Sequence, residues 1–206
     1  MTMRRVSAVV GFAVAGVLAT SPALAQGGYT QAIGGMTSAA QQRAFAGALA
    51  GATFGSIDIN VEGGYMQDVL PKGLLDELNE FQEGLPAQAK LILPATYFMG
   101  NVRYITPQGS IHVFAGAGFG IAHVKPKFEV TVSGVDLGNA ISDVEAQNKP
   151  LVSFGGGVRF DIGTHSLLDV GYRYTTIFTD YDAPLLGETD IKASVHTFYA
   201  AFGVRF

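Results

Sequence analysis

The C-terminal stretch His196-Thr-Phe-Tyr-Ala-Ala-Phe-Gly-Val-Arg-Phe206 alternates between two kinds of side chain. One set is apolar and comprises Phe198, Ala200, Phe202, Val204 and Phe206. The other set is small or polar and comprises Thr197, Tyr199, Ala201, Gly203 and Arg205. Because successive side chains of a β-strand point to opposite faces, the stretch predicts a strand that separates two different environments.

The same alternation recurs along the chain and predicts further strands. It is clear in residues 57–65, 111–121, 152–161 and 168–178, and weaker in residues 29–36, 44–54 and 95–104. With the C-terminal stretch this makes eight segments, most of them about 9–11 residues long, which is the length that a tilted strand needs to cross a bilayer.

The connections between these segments alternate in length. Residues 55–56, 106–109 and 162–165 are short and carry the glycine or proline that tight turns use. Residues 66–94, 122–151 and 179–193 are long, whereas the link at residues 37–43 is short. Short turns at one end and long loops at the other are typical of a transmembrane β-barrel.

Composition argues against other classes of protein. Hydrophobic residues make up 48% of the 206-residue chain and charged residues 15%, which excludes intrinsic disorder. The formal net charge of −4 argues against a nucleic-acid partner, and the absence of cysteine excludes disulfides. A soluble β-sandwich or lipocalin-like cup would expose the polar faces of its strands, but here those faces are too rich in glycine and too poor in charge.

Charged residues divide between strands and loops. Every lysine lies in or beside a long loop, whereas the arginines after residue 25 lie in or beside strands. A charge on the lipid face of a barrel costs about 2–4 kcal/mol at mid-membrane, so strand charges should point inward. Alternation predicts an ionic network in the lumen, with Asp58 and Asp161 as further candidate members. Its predicted residues are Glu62, Arg103, Arg159, Asp169, Arg173 and Arg205.

Residues 1–25 have the features of a secretory signal peptide. Arg4 and Arg5 precede an apolar stretch, and Ala23-Leu24-Ala25 forms a small-x-small cleavage motif. A membrane anchor is the alternative, but the apolar stretch is short. We expect export, with residues 26–206 forming one barrel domain.

Two of the predicted strands contain the sequences Phe114-Ala-Gly-Ala-Gly-Phe-Gly120 and Phe154-Gly-Gly-Gly-Val-Arg-Phe160. Together with the C-terminal stretch, they resemble the outer-membrane protein A-like barrels of Gram-negative bacteria. The resemblance implies an all-β, eight-stranded antiparallel up-and-down barrel in the cell outer membrane. It also implies that the barrel-assembly machinery recognises the C-terminal strand. The residues of this assembly signal would be Phe198, Phe202, Val204 and Phe206.

The loops suggest additional structure outside the membrane. Residues 71–90 predict an amphipathic helix whose apolar face comprises Leu74, Leu75, Leu78, Phe81 and Leu85. This helix could contact lipopolysaccharide or a host surface, or it could fold over the barrel mouth and bury its own leucines. Residues 128–133 alternate again and predict a hairpin above the membrane.

Candidate chemistry is sparse. The four histidines show no metal-ligand spacing. Ser194 and His196, near Glu188 and Asp190, superficially resemble a hydrolase triad, but a histidine at the membrane interface is the simpler interpretation. We expect no catalytic site, metal site or cofactor. With no Trp in the chain, we expect the aromatic girdle to be supplied by other residues: Tyr29, Tyr65, Tyr104, Tyr172, Tyr174, Phe178 and Phe206.

The sequence favours a structural or surface-interaction role in the outer membrane. The long loops carry 13 acidic residues against six lysines, so divalent cations should bridge them to lipopolysaccharide phosphates. The expected partners are outer-membrane lipids, lipopolysaccharide and an unidentified surface ligand. A small pore or apolar-ligand conduit is the alternative function, and an outer-membrane lipid hydrolase is a third.

Deletion of Phe206, or Phe206→Asp, should reduce the amount of folded protein in the outer membrane, because the resemblance places the assembly signal at this position. The measurement is the yield of the heat-modifiable band on a gel run without boiling. Phe206→Tyr keeps an aromatic ring and should retain the yield. An unchanged yield from Phe206→Asp would contradict the prediction.

Overall fold

The computed structural model describes residues 27–82, 87–132, 135–136, 146–183 and 187–206. Its strands are β1 (Gly28–Ser38), β2 (Gln42–Phe54), β3 (Ile57–Met66), β4 (Ala87–Ile92), β5 (Ala95–Ile105), β6 (Ile111–Val124), β7 (Lys127–Val132), β8 (Val135–Asp136), β9 (Gln147–Ile162), β10 (Ser166–Ala183) and β11 (Gly187–Arg205), and its helix is α1 (Lys72–Gln82). Eight of the strands form a closed antiparallel barrel in the order β1-β11-β10-β9-β6-β5-β3-β2. The predicted fold class is confirmed.

Pairing of the first and last strands closes the barrel. The ladder between β1 and β11 runs from Tyr29 opposite Arg205 to Ser38 opposite His196. The backbone N–H of Phe206 donates to the carbonyl of Gly28 at 3.0 Å. Closure leaves no open edge among the barrel strands, as a sheet in lipid requires.

Both ends of the barrel have the predicted connections, with one difference. The short turns include Gly55 and Gly163, which have φ values of 63° and 67° in the left-handed region that favours glycine. The expected long link at residues 179–193 is largely paired strand, because β10 and β11 continue to the Ala183–Gly187 pair. Alternation marks a strand only where its two faces meet different surroundings, and above the membrane that contrast is lost.

The other long loops contain α1 and a small sheet. Helix α1 lies within the predicted residues 71–90, but residues 87–92 form β4 instead. Leu74 and Leu75 contact the buried core, whereas Leu85 and the side chains of Leu78 and Phe81 lie outside the described part. Strand β7 forms the predicted hairpin with β8 and also pairs with β4, which the sequence did not predict. No described helix is long and apolar enough to span a membrane.

The outer wall of the barrel is a continuous apolar surface. Phe98, Phe119 and Phe154 are 62%, 66% and 59% exposed, as residues that face lipid should be. Tyr65, Tyr104, Tyr172, Phe178 and Phe206 are also exposed and can supply the girdle. Tyr29 is the exception, since it is fully buried in the lumen, and its assignment to the girdle was wrong.

Several inward glycines lie against backbone and side chains from neighbouring strands. A Cβ on Gly116 would lie 2.8 Å from the side chain of Arg103, and one on Gly171 would lie 2.7 Å from the hydroxyl of Tyr199. The narrow lumen therefore accommodates large side chains because glycines lie beside them.

Gly203→Ala should destabilise the barrel, whereas Gly100→Ala should have little effect. A Cβ on Gly203 would collide with the Thr30 carbonyl oxygen and lie 2.6 Å from Cα of Gln31, which are backbone atoms that cannot move aside cheaply. Gly100 has no atom within 4 Å of that position. We expect a loss of about 1–3 kcal/mol for Gly203→Ala, measured by reversible unfolding in lipid with urea. Equal stability of the two variants would contradict this account.

Candidate functional site

Charged side chains occupy the lumen at three heights. We call them the rim pair, the central cluster and the upper pair, in order from the short turns toward the long loops. The rim pair is Asp161 and Arg205; the central cluster is Asp58, Arg103, Arg159 and Asp169; the upper pair is Glu62 and Arg173. Each group contains as many carboxylates as guanidinium groups, so none leaves a net buried charge.

Arg159 lies at the centre of the central cluster and is fully buried. Its Nε and Nη2 donate to the two carboxylate oxygens of Asp169 at 2.7 and 2.9 Å. Its Nη1 donates to Asp58 at 3.0 Å. Arg103 connects the same carboxylates, with Nε 3.0 Å from Asp58 and Nη1 3.2 Å from Asp169.

Neutral groups complete the shell of the central cluster. Asp58 also accepts hydrogen bonds from the hydroxyl of Tyr29 at 2.7 Å and from the amide of Asn60 at 3.1 Å. The guanidinium of Arg159 lies 4.5 Å from the centre of the Tyr29 ring, and that of Arg103 lies 4.7 Å from the Phe114 ring. Charged groups that are removed from water lose their hydration, and they need partners such as these to replace it.

The upper pair is similarly enclosed. Nη1 of Arg173 lies 2.8 Å from both carboxylate oxygens of Glu62. The hydroxyl of Tyr97 donates to Glu62 at 2.6 Å. Glu62 and Arg173 lie on β3 and β10, which are diametrically opposite strands of the ring, as are Asp58 and Asp169. Both the upper pair and the central cluster therefore span the lumen from wall to wall.

The rim pair lies where the lumen opens toward the short turns. Arg205 makes two hydrogen bonds to Asp161, at 3.1 and 3.0 Å. Nε2 of His112 lies 3.3 Å from the same carboxylate, and Nδ1 lies 2.5 Å from the carbonyl oxygen of Thr106. Arg205 is about a third exposed, so this pair is only partly removed from water.

The lumen changes character above the upper pair. Its wall there is fully buried and mostly apolar, with Leu151, Ile177 and Val195 among its residues and Thr37 and Thr175 beside them. Val69 and Leu70, from the loop after β3, fill this end together with Leu93. We call residues 67–71 the strap; they follow β3, and Val69 and Leu70 are buried at the long-loop end of the lumen.

Hydrogen bonds hold the strap in place. A carboxylate oxygen of Asp68 accepts from the backbone N–H groups of Leu70 and Leu93, at 3.0 and 3.1 Å. The N–H of Val69 donates to the carbonyl of Leu93 at 2.9 Å, and that of Ala40 donates to the carbonyl of Leu70 at 2.9 Å. These bonds fix Val69 and Leu70 at the long-loop end of the lumen.

Little space remains between these groups. A cavity of about 30 Å³ lies between the central cluster and the upper pair, among Asn60, Asn101 and Ser153. Space of this size holds a water molecule or two and does not form a path through the barrel.

The structure places all six residues of the predicted lumen network inside the barrel but divides them among the three groups. Arg103, Arg159 and Asp169 meet in the central cluster, and Glu62 and Arg173 form the upper pair. Arg205 is separate from them and pairs with Asp161.

Asp58 has a larger part than expected, because it accepts from both arginines of the central cluster. Sequence reasoning missed the roles of Tyr29, Tyr97 and Asn60 as hydrogen-bond partners. Alternation in residues 95–104 puts Tyr97 on the same face as Arg103, which was the available signal, whereas β1 alternates too weakly to place Tyr29.

The remaining candidate residues lie on the outer wall or in the loops. Phe198, Phe202, Val204 and Phe206 face lipid, and their role in assembly stays a prediction. His196 lies 2.6 Å from the hydroxyl of Tyr172, and Ser194 accepts from Tyr174 at 2.8 Å, so the two make separate contacts and form no dyad. Within the described residues, no cluster of three or more potential ligands could hold a metal ion.

Comparison with known proteins agrees with this architecture. Neisserial surface protein A shares 15% identity over 88% of this chain and 98% of its own, with a TM-score of 0.57. The chain has the fold of a small outer-membrane β-barrel. The attachment invasion locus protein of Yersinia pestis (14% identity; 88% and 99% covered; TM-score 0.46) and outer membrane protein H of P. aeruginosa (15% identity; 86% and 99%; TM-score 0.45) also match. No protein-family model and no curated protein matches.

Glu62→Ala should lower the free energy of unfolding by about 3–5 kcal/mol, because it leaves Arg173 buried without a carboxylate. Replacing both residues, as in Glu62→Leu with Arg173→Met, should cost less than Glu62→Ala, since no unpaired charge remains. Asp76→Ala, on the exposed side of α1, is the control and should be neutral. Unfolding in urea, followed by gel mobility, measures all three, and a neutral Glu62→Ala would argue against a buried ion pair.

Proposed function

We propose that this protein is a sealed outer-membrane barrel that anchors a structured extracellular surface. The observation that carries the proposal is the filling of the lumen by paired charges and by apolar side chains. The central cluster and the upper pair span it with paired charges, and the strap closes the long-loop mouth with apolar side chains. An eight-stranded barrel has an interior only wide enough for its own side chains, which supports the same conclusion.

The extracellular surface consists of three described parts. They are α1, the sheet formed by β4, β7 and β8, and a two-stranded ribbon formed by the ends of β10 and β11. The ribbon projects because β10 stays paired with β9 only to Ile177, and β11 with β1 only from His196 onward. These parts favour a role in envelope integrity or surface interaction.

Charge points to the kind of interaction. The long loops contain 13 acidic residues and six lysines, and lipopolysaccharide phosphates are also anionic. Divalent cations would bridge like charges on the two sides and link the loops to neighbouring lipopolysaccharide. The proposed role is non-enzymatic, and it is supported by the separate contacts of Ser194 and His196.

Planar-bilayer recordings of the purified wild-type barrel should show no large, steady conductance. Glu62→Ala should also be silent, because the central cluster and the strap still close the lumen. A general porin added afterwards to the same bilayer controls for insertion and recording conditions. A porin-like current from the wild type would overturn this proposal in favour of the alternative function, a small pore. A current from Glu62→Ala alone would show that the central cluster and the strap do not close the lumen without the upper pair.

A further inference from the structure

Three buried polar atoms without a hydrogen-bond partner lie close together on the wall of the lumen. They are Nε of Arg173, Oγ1 of Thr175 and Oγ1 of Thr197, out of five such side-chain atoms in the described residues. Thr175 is 1% exposed and Thr197 is fully buried, and Arg173 is 6% exposed. Since nearly all buried polar groups in native proteins are paired, three unpaired atoms in one place point to a bound molecule that is not part of the chain.

The register of the barrel brings the three residues together. Arg173 on β10 lies directly opposite Thr197 on β11, and Thr175 is the next inward residue after Arg173. Directly opposite side chains have Cβ atoms about 4.5–5.5 Å apart, and diagonal neighbours such as Thr175 and Thr197 are about 7–8 Å apart or somewhat less. One small molecule between them can therefore reach both hydroxyls and the guanidinium. We call these three residues the threonine site.

Space of the right size adjoins the threonine site. The cavity of about 30 Å³ between the central cluster and the upper pair is lined by Arg173, Ser153 and Gly155. Ser153 lies directly opposite Thr175 on β9, and Gly155 lies directly opposite Arg173. A water molecule needs about 10–15 Å³, so the space beside the threonine site suits water and excludes a larger ligand.

The charges around the threonine site favour a neutral ligand. The guanidinium of Arg173 is already balanced by Glu62, because its Nη1 lies 2.8 Å from both carboxylate oxygens. An additional anion would leave a net charge buried, which is strongly unfavourable. A cation would face Nε–H of Arg173, which can only donate. Water can accept from this N–H and can both donate to and accept from the two hydroxyls.

We propose that the threonine site binds an ordered water molecule that bridges Thr175, Thr197 and Nε of Arg173. Nη1 of Arg173 already donates to Glu62, and Nη2 donates to the hydroxyl of Tyr97 at 3.4 Å. The water accepts from the remaining nitrogen of the guanidinium and so completes the hydrogen bonding of a buried charge. It is a structural part of the upper pair, and it does not depend on what the loops bind.

Valine substitutions test the site, because valine has nearly the shape of threonine but no hydroxyl. Removing a hydroxyl that has no partner should raise the urea midpoint of unfolding, whereas removing one that holds the water should lower it. We expect Thr175→Val and Thr197→Val each to lower the midpoint. Thr96→Val, on the exposed outer face of β5, is the control and should not lower it. A raised midpoint in Thr175→Val or Thr197→Val would overturn the water.

A double-mutant cycle tests whether the two hydroxyls share one molecule. Neither hydroxyl has a hydrogen-bond partner in the described structure, so a bound water is what would couple them. The variant with both Thr175→Val and Thr197→Val should lower the midpoint by less than the sum of the single changes, because the first change already releases the water. Additive changes would overturn a shared water.

A high-resolution crystal structure of the purified barrel observes the site directly and does not depend on the stability of any variant. We expect density for one water about 2.7–3.2 Å from the two hydroxyl oxygens and from Nε of Arg173. The absence of density there would overturn the proposal. Crystals soaked in bromide distinguish an anion from water, and an anomalous peak at the threonine site would overturn the neutral ligand.

Discussion

The Arg159 guanidinium, held between Asp58 and Asp169, is the interaction around which the barrel interior is organised. It connects three strands through hydrogen bonds of 2.7 to 3.0 Å in a space without access to water. Because a single missing carboxylate would leave a charge buried and unpaired, strands β3, β9 and β10 must keep the register that brings these groups together. Arg103 then fits only where both carboxylates are already in place.

The remainder of the lumen follows from the same constraint. Paired charges fill the half nearer the short turns, and apolar side chains fill the half nearer the long loops. The paired charges need no partner from the apolar half, since each group contains as many carboxylates as guanidinium groups. This separation explains why loss of the upper pair should weaken the barrel without opening a channel. It also leaves the strap free of charged groups except for Asp68, whose carboxylate bonds backbone N–H groups.

The outer wall is constrained by lipid rather than by internal contacts. Large apolar residues cover most of it, whereas the outward residues of β2 between Gln42 and Phe54 are alanines. Lipid therefore selects the residues of the outer wall, whereas the pairing of charges selects those of the interior. A barrel sealed inside would hold its loops in a defined position against the outer leaflet.

Alternation by itself determined the number of barrel strands, which side chains face inward on every barrel strand except β1, and which charges share the lumen. Glu62, Arg103, Arg159, Asp169 and Arg173 could be assigned because the lipid face excludes charge, and this exclusion is visible in the sequence. Their partners were decided only by the tertiary structure, because pairing across the lumen joins strands that are distant in sequence. The same holds for Tyr29, whose weakly alternating strand hid its inward position, and for β4 and β7, which belong to different loops. Alternation tells which face of its strand a residue occupies, but barrel closure and register set the height of that residue in the barrel and its neighbours.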